Sequence, residues 1–373
     1  MKILYGCSTY ENIRDSKMGS ERALWGLARA LTERGHEVTI TNLLHGAPNW
    51  DRGYDIIHLW NCSGQKGPYL LAMQMARMLY KPLFLTPVFW PVDELRTELM
   101  LSLELSQKEL ELQESSFSIY LAGLKMMFAD AGWLLPNAEI EMDMVIEHLD
   151  GFQCQDGPIE QRYTVIPNGV DVEHEILPSL ADDRPFIDAV ERKLKKRFVL
   201  CVGRVEVRKN QRRLVEAMQE IWKDDPDLQL VLMGAVETKY VSSFSYMLEG
   251  ANVLLAPEGP PGAVLKLMKR CQAHILVSWM ETPGLASLEA AAMGKNVVVC
   301  DKGSVREYFG DKAYYCDPLD PLSMAKAIRL AVINPAAPQL TERIRRDYSY
   351  THIAEMAEKA YQEALMIPIR GER

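Results

Sequence analysis

Short apolar or β-branched runs alternate along the chain with amphipathic stretches of helical period, the pattern of parallel sheets covered by helices. In the first half, runs at 2–7, 37–42, 54–59, 83–88, 132–135 and 163–166 predict strands. Helices are predicted at 19–34, 67–79 and 138–149. In the first of these, Leu24, Leu27, Ala28 and Leu31 recur at three-to-four spacing and Gly35 supplies the stop. Between Pro91 and Gly132 no strand pattern occurs. Residues 93–128 read as one long or broken helix, acidic at Glu104, Glu109, Glu111 and Glu114 and apolar after Phe117. That apolar end reads as core, because Lys125 stands almost alone where a membrane-surface helix would carry flanking cations.

The second half repeats the theme, with strands predicted at 197–202, 228–233, 252–255, 274–278, 296–300 and 313–316. Helices are predicted at 210–223, 238–248, 261–271, 284–293, 321–333, 340–347 and 350–366. A Pro- and Asp-rich stretch from Pro178 to Pro185 reads as a linker. The expected fold class is therefore α/β: two Rossmann-like domains, 1–177 and 186–349, joined by 178–185, with parallel sheets facing a central cleft.

Composition narrows the classes without choosing a function. The 373 residues are 48% hydrophobic and 25% charged, which excludes a disordered or fibrous chain. Apolar runs are broken by Lys81, Lys125, Asp130 or Asp301 before they could span a bilayer. Met1 to Tyr5 enter the first strand directly, and the seven cysteines form no CxxC pair, so a cytoplasmic protein is expected, at most with peripheral contact to the inner membrane face. Net charge is −9, a poor basis for nucleic-acid binding, although a few local cations are enough for a phosphate.

Three stretches carry candidate chemistry. Glu281, Pro283, Gly284, Leu285 and Glu289 follow a predicted strand and open a helix, whose first N–H groups are a ready anion site. Both carboxylates suit vicinal hydroxyls, but a merely charged helix start has the same spacing. Gly203, Arg204, Arg208 and Lys209 stand between a strand end and a helix, where two cations can clamp a diphosphate; solvated loop cations would look alike. Gly19 opens the first helix, where a glycine permits close backbone approach, as it also would in an ordinary turn. No metal-ligand spacing, P-loop or GxSxG elbow occurs, and the acidic run at Asp224, Asp225 and Asp227 reads as a solvated turn. His58 ends a strand, either as a substrate contact or as a satisfied strand-end histidine.

Taken in order, Gly19 with the Leu27 to Val38 stretch, Ile166 to Asp171, Gly203 and Arg204 with Lys209 and Asn210, and the Glu281/Glu289 pair resemble the retaining GT-B glycosyltransferases of family 4. The resemblance covers nearly the whole chain. It implies transfer of a sugar, with retention and without a metal or other cofactor, from a nucleotide-diphosphate sugar, UDP- or GDP-linked. The acceptor it implies is a glycan, a lipid-linked glycan or a small molecule, in polysaccharide or glycoconjugate synthesis.

Carried over, Arg204 and Lys209 bind the diphosphate, Glu281 contacts the donor sugar and Glu289 the ribose. Arg204, Lys209 and Glu281 are then the catalytic candidates. Gly203, Pro283, Gly284 and Leu285 contribute to the donor site, Pro257 and Glu258 lie near the base, and Gly19 approaches the diphosphate from the first domain. The last helix, about 350–373, would return to the first domain.

The acceptor side departs from the pattern. The loop after the fourth strand has Phe89 and Trp90 in place of a common histidine, Trp60 replaces another, and Met18 replaces the first glycine of a common pair. His58, Trp60, Phe89 and Trp90 are the acceptor-side candidates, the aromatic rings suiting a sugar or apolar group. A nucleotide-sugar epimerase and a non-catalytic nucleotide-sugar-binding scaffold are the alternative readings.

Overall fold

The fold is built from two stretches of strand–helix alternation, and the described residues divide accordingly. The structure, a computed structural model of the chain, describes residues 1–8, 19–45, 53–61, 66–89, 119, 121–148, 162–171 and 184–366. One compact unit comprises the described residues through 169 together with those from Tyr348 onward; the other comprises 170–171 and 184–347. The unit boundaries thus fall at Gly169/Val170 and Asp347/Tyr348. The expected linker lies largely outside the described residues, and its last two members, Arg184 and Pro185, already begin a helix, Arg184–Glu191.

The first unit has five parallel strands: β1 (Lys2–Cys7), β2 (Glu37–Asn42), β3 (Ile56–Trp60), β4 (Leu83–Thr86) and β5 (Trp133–Leu134). Their order is β2-β1-β3-β4-β5. All residues of β3 and β4 are buried, as expected where helices cover both faces of a parallel sheet. Helix Gly19–Glu33 buries Leu24, Leu27, Ala28 and Leu31, the stripe read from the sequence.

Helix Tyr350–Leu365 belongs to this first unit and packs along Gly19–Glu33. Its start is set by Ser349, whose side-chain oxygen accepts from the His352 N–H at 3.3 Å. The Tyr350 ring lies against two glycines: a Cβ at Gly26 or Gly169 would fall 2.1 or 2.4 Å from ring atoms. No larger residue fits either place without moving the helix.

The second unit has six parallel strands: β6 (Phe198–Val202), β7 (Gln229–Met233), β8 (Val253–Ala256), β9 (Ala273–Leu276), β10 (Asn296–Cys300) and β11 (Tyr314–Cys316). The order is β11-β10-β9-β6-β7-β8, so the chain winds outward in both directions from the β6/β9 pair. In open α/β sheets such a reversal is where ligands bind, beyond the strands' C-terminal ends. Val199, Cys201, Leu214, Met218, Leu230, Leu232, Val298 and Ile328 are among the residues that fill one core cluster of this unit.

Three expected elements differ from what is observed. The strand at 163–166 reduces to a single bridge, Leu134 with Tyr163. The Ile166 N–H still donates to the Pro136 carbonyl at 2.8 Å, but Pro136 has no N–H to donate toward Thr164, so the ladder stops there. The helix at 238–248 breaks into Thr238–Ser242 and a short 3₁₀ turn, Ser245–Met247. There the hydroxyls of Ser243 and Ser245 donate back to the carbonyls of Tyr240 and Ser242, competing with helix continuation. The third difference is the start of helix Leu285–Ala292, which leaves Pro283 outside its first turn and makes Gly284 the N-cap. Of the 93–128 segment, 119 and 121–128 are described; they are helical, and the helix runs to 130. Among the described residues no helix is long and apolar enough to cross a membrane.

Candidate functional site

The reversal between β6 and β9 gathers several of the sequence candidates. Gly203 follows β6 with φ +149°, a conformation open mainly to glycine, and its N–H donates to the Met233 carbonyl at 2.9 Å. Gly234 follows β7 with φ +153°, and a Cβ there would fall 2.2 Å from the Gly203 carbonyl oxygen. Sequence reasoning passed over Gly234, whose signal is only a glycine directly after a buried strand. Gln211, also passed over, is wholly buried and holds the intervening loop: its Nε2 donates to the Arg204 carbonyl at 2.7 Å, and its Oε1 accepts from the Glu206 N–H at 3.3 Å.

Past that loop, Lys209 pairs directly with Glu281, 72 residues away, and Arg208 reaches the same carboxylate oxygen at 3.5 Å. Arg208 also pairs with Glu206 at 3.1 Å, and Glu206 with Arg204 at 3.4 Å. Three cations, Arg204, Arg208 and Lys209, thus meet two carboxylates, Glu206 and Glu281. Burial acts to raise the Glu281 pKa, but Lys209 and Arg208 outweigh it and hold the carboxyl below its usual range. Burial, reinforced by Arg208, lowers the Lys209 pKa despite the Glu281 pairing. A cation under that pressure gains from any further anion brought to it.

Glu281 is itself fixed from behind. Its carbonyl accepts from the Ser304 N–H at 3.3 Å and the Ser304 hydroxyl at 3.2 Å, and its backbone bridges to Gly303. Gly284 caps the following helix with φ +85°; a Cβ there would lie 2.5 Å from Leu276 Cδ2 and 3.4 Å from Glu281 Oε2. At Gly203 the corresponding position is 3.6 Å from Lys209 Cε. Gly203, Lys209, Glu281 and Gly284 therefore form one cluster, with Arg204 at its exposed rim, its side chain 59% accessible. Pro283 is buried beside it, Leu285 half-buried at the helix start and Glu289 buried one turn along. Pro257 and Glu258 lie exposed after β8.

The acceptor-side candidates have other employment. His58 is 1% exposed, and both ring nitrogens are engaged: Nδ1 with the Tyr361 hydroxyl at 2.7 Å and Nε2 with the Thr86 hydroxyl at 2.9 Å. The Tyr361 hydroxyl also bonds that of Tyr5 at 2.6 Å. Of the two readings of His58, the satisfied histidine is the one observed. Trp60 is 4% exposed, and its indole N–H donates to the Ser20 carbonyl and hydroxyl at 3.0 and 3.1 Å. Phe89 is buried in the core, its N–H donating to the buried Glu141 carboxylate at 2.6 Å. Neither ring is open for stacking on a ligand, which corrects that expectation. Trp90 lies outside the described residues; Gly19 is exposed at its helix start. Among the described residues no group of three His, Cys, Asp or Glu is placed to hold a metal.

Two buried imidazoles give the stability of this chain a definite pH dependence. Burial pushes His58 down to about 3, and burial with the nearby Lys209 does the same to His274 in β9. Above about pH 6.5 both are neutral whether the chain is folded or not. Below that, the unfolded chain takes up protons that the folded one refuses, so each imidazole removes up to about 1.4 kcal/mol per pH unit until about pH 3. Urea titrations should therefore show stability declining between about pH 6.5 and 5, before most carboxylates titrate. A flat profile over that window would contradict the neutral buried state.

Comparison with known proteins bears on both units. Residues 183–348 match the family of glycosyl transferases group 1. Glycogen synthase of Mycobacterium tuberculosis is 28% identical over 231 residues, covering 58% of this chain and 51% of that protein. D-inositol 3-phosphate glycosyltransferase of Segniliparus rotundus is 26% identical over 196 residues, covering 50% and 40%. The chain thus spans about half the length of the curated relatives it matches. Among solved structures, sucrose-phosphate synthase from Thermosynechococcus elongatus superposes with a TM-score of 0.71 at 17% identity, covering 97% of this chain and 99% of that one. Anabaena Alr3699/HepE, solved in complex with UDP and glucose, gives 0.69 at 16%, covering 97% and 100%. The chain has the GT-B fold, and its segment 183–348, which contains the Lys209–Glu281 cluster, is similar to the glycosyl transferases of group 1.

Proposed function

We propose that this chain is a retaining, metal-independent glycosyltransferase of the family 4 type that moves a sugar from a UDP- or GDP-sugar to a hydroxyl-bearing acceptor. The observation that carries the reading is the Lys209–Glu281–Arg208 cluster at the reversal point of a doubly wound sheet. The similarity of 183–348 to group 1 glycosyl transferases supports it, as does the likeness in fold to a protein solved with UDP and glucose. No resident cofactor is proposed.

In this reading the donor diphosphate enters beside Lys209 and takes over as its counter-ion, joined by Arg204 from the rim. The helix start at Gly284–Leu285 adds backbone N–H groups that no intrahelical acceptor satisfies. Glu281, relieved of part of its ion pairing, accepts from hydroxyls of the donor sugar, and Glu289 from those of the ribose. The bond from the anomeric carbon to the diphosphate oxygen breaks, and the cations stabilise the charge that develops there. The acceptor hydroxyl attacks from the same face and passes its proton to a phosphate oxygen, so the anomeric configuration is kept.

The test is thermal shift with UDP, GDP, ADP, dTDP and CMP in the presence of EDTA. A ligand bound only by the folded state raises the melting temperature by mass action, by about 2.7 kcal/mol of stability at one hundred times Kd. One of UDP or GDP is expected to give that rise. If none of the five shifts the melt at millimolar concentration, the donor-site reading fails.

A further inference from the structure

The turn that presents Lys209 is held by its neighbour Asn210, which departs from two ordinary preferences to do so. Asn210 ends the 3₁₀ turn Val207–Lys209 and stands at the N-cap of helix Gln211–Trp222. Its φ is +60°, in the left-handed region, whereas an N-cap residue is normally extended. Its side chain, of a type that usually accepts from the first N–H groups of a helix, makes no capping hydrogen bond. Instead the residue is 2% exposed and its side-chain amide donates to the Pro318 carbonyl at 2.8 Å, 108 residues on and just past β11.

Three further contacts close a ring about the turn. Asn210 Oδ1 accepts from Arg213 Nη1 at 3.3 Å, and the Arg213 guanidinium lies over the Trp279 ring, 5.3 Å from its centroid. Trp279 is buried two residues before Glu281, and its backbone N–H donates to the Arg208 carbonyl at 3.0 Å. The ring thus returns to the backbone directly before Lys209. It ties the segment carrying Lys209 to the segment carrying Glu281 through atoms other than the ion pair itself. A lysine ammonium rides on a flexible four-carbon stem, so its aim depends on where the backbone starts it. A misplacement of about 1 Å at a reacting site can cost on the order of 100-fold in rate.

We propose that Asn210 is a positioning residue: its amide, anchored on Pro318 and braced by Arg213 against Trp279, aims the Lys209 ammonium at the place where diphosphate charge develops. The purpose of that aim rests on the glycosyltransferase reading, but the anchoring can be tested on Lys209 without any turnover. An asparagine kept only to start a helix would leave Lys209 indifferent to its side chain.

The experiment compares the parent with Asn210→Gly, which keeps the left-handed backbone and removes the anchor. Arg213→Met is the second variant; it removes the brace from a half-buried position and leaves Asn210 in place. Each protein is treated briefly with acetic anhydride, and acetylation of Lys209, whose side chain is 12% accessible, is followed by mass spectrometry against the exposed Lys359. Because glycine is at ease at positive φ, Asn210→Gly should melt within about 4 °C of the parent. Its Lys209 should nonetheless acetylate at least about fivefold faster, and kcat should fall about tenfold while the donor KM changes by less than about threefold. Arg213→Met should move labelling and kcat the same way by about two- to threefold, and it decides the matter if Asn210→Gly does not fold. Parent-like labelling and kcat in the variants would overturn the proposal. So would a large drop in Tm with both unchanged, the signature of a residue that serves only the fold. If the parent neither binds a nucleotide nor transfers, the transferase reading fails, and the labelling by itself then decides whether Asn210 aims the lysine.

Discussion

Lys209→Ala is expected to abolish sugar transfer and to destabilise the second unit as well. The electrostatic loss is the removal of the buried cation nearest to where diphosphate charge would develop; losses for a single such group are on the order of 100- to 1,000-fold in kcat. The structural loss arises because Glu281 stays behind, buried, with Arg208 at 3.5 Å as its remaining cation. Breaking one side of a buried ion pair typically costs about 3–5 kcal/mol. The two effects separate in the double variant Lys209→Met/Glu281→Leu, because replacing both partners by apolar groups of similar size is often close to neutral. That protein should recover most of the stability in a urea titration and none of the transfer. If Lys209→Ala turns over at the parent rate, the phosphate-clamp assignment is wrong.

Tyr361→Ala should be the most damaging single substitution in the first unit. The ring is wholly buried, edge-on to Phe84 with centroids 4.9 Å apart, and its hydroxyl links Tyr5 to His58. Truncation leaves a cavity and strips two buried polar groups of a partner, which together put the loss at about 4–5 kcal/mol. Tyr361→Phe keeps the packing and loses only the hydroxyl, for about 1–3 kcal/mol. The ordering parent, Phe, Ala in urea titrations followed by near-UV circular dichroism is the check; an alanine variant within about 1 kcal/mol of the parent would contradict it.

Much of the second unit was legible because each buried parallel strand is a near-continuous apolar run, and a helix start such as Asp320–Pro321 carries a local cap. The cations and carboxylates of the cluster were legible by type. Their pairing was not: Lys209 and Glu281 meet only because β6 and β9 are neighbours, and nothing local in the chain encodes that adjacency. Local pattern misled most where a side chain's partner is remote. His58 looks available at a strand end until Tyr361, 303 residues on, is laid over it. Trp60 looks like a stacking platform until its indole is found spent on Ser20. Asn210 reads as an ordinary helix start; that its amide reaches Pro318 is visible only in three dimensions.

The return of helix Tyr350–Leu365 to the first unit has a consequence for how the protein is made. The ribosome delivers the five strands of that unit first, yet the tyrosine that joins Tyr5 to His58 emerges only after the whole second unit has been synthesised. About 190 residues separate Gly169 from Tyr361, a delay of roughly 10–40 s at ordinary translation rates. During that interval the nascent first unit displays Gly26 and Gly169 without Tyr350 between them, and a buried histidine without its hydroxyl partner. The described residues of the second unit all lie between Val170 and Asp347 and have no such wait. The part of the chain born first is therefore the part completed last, and a nascent protein stalled before residue 350 would hold a finished second unit beside an unfinished first one.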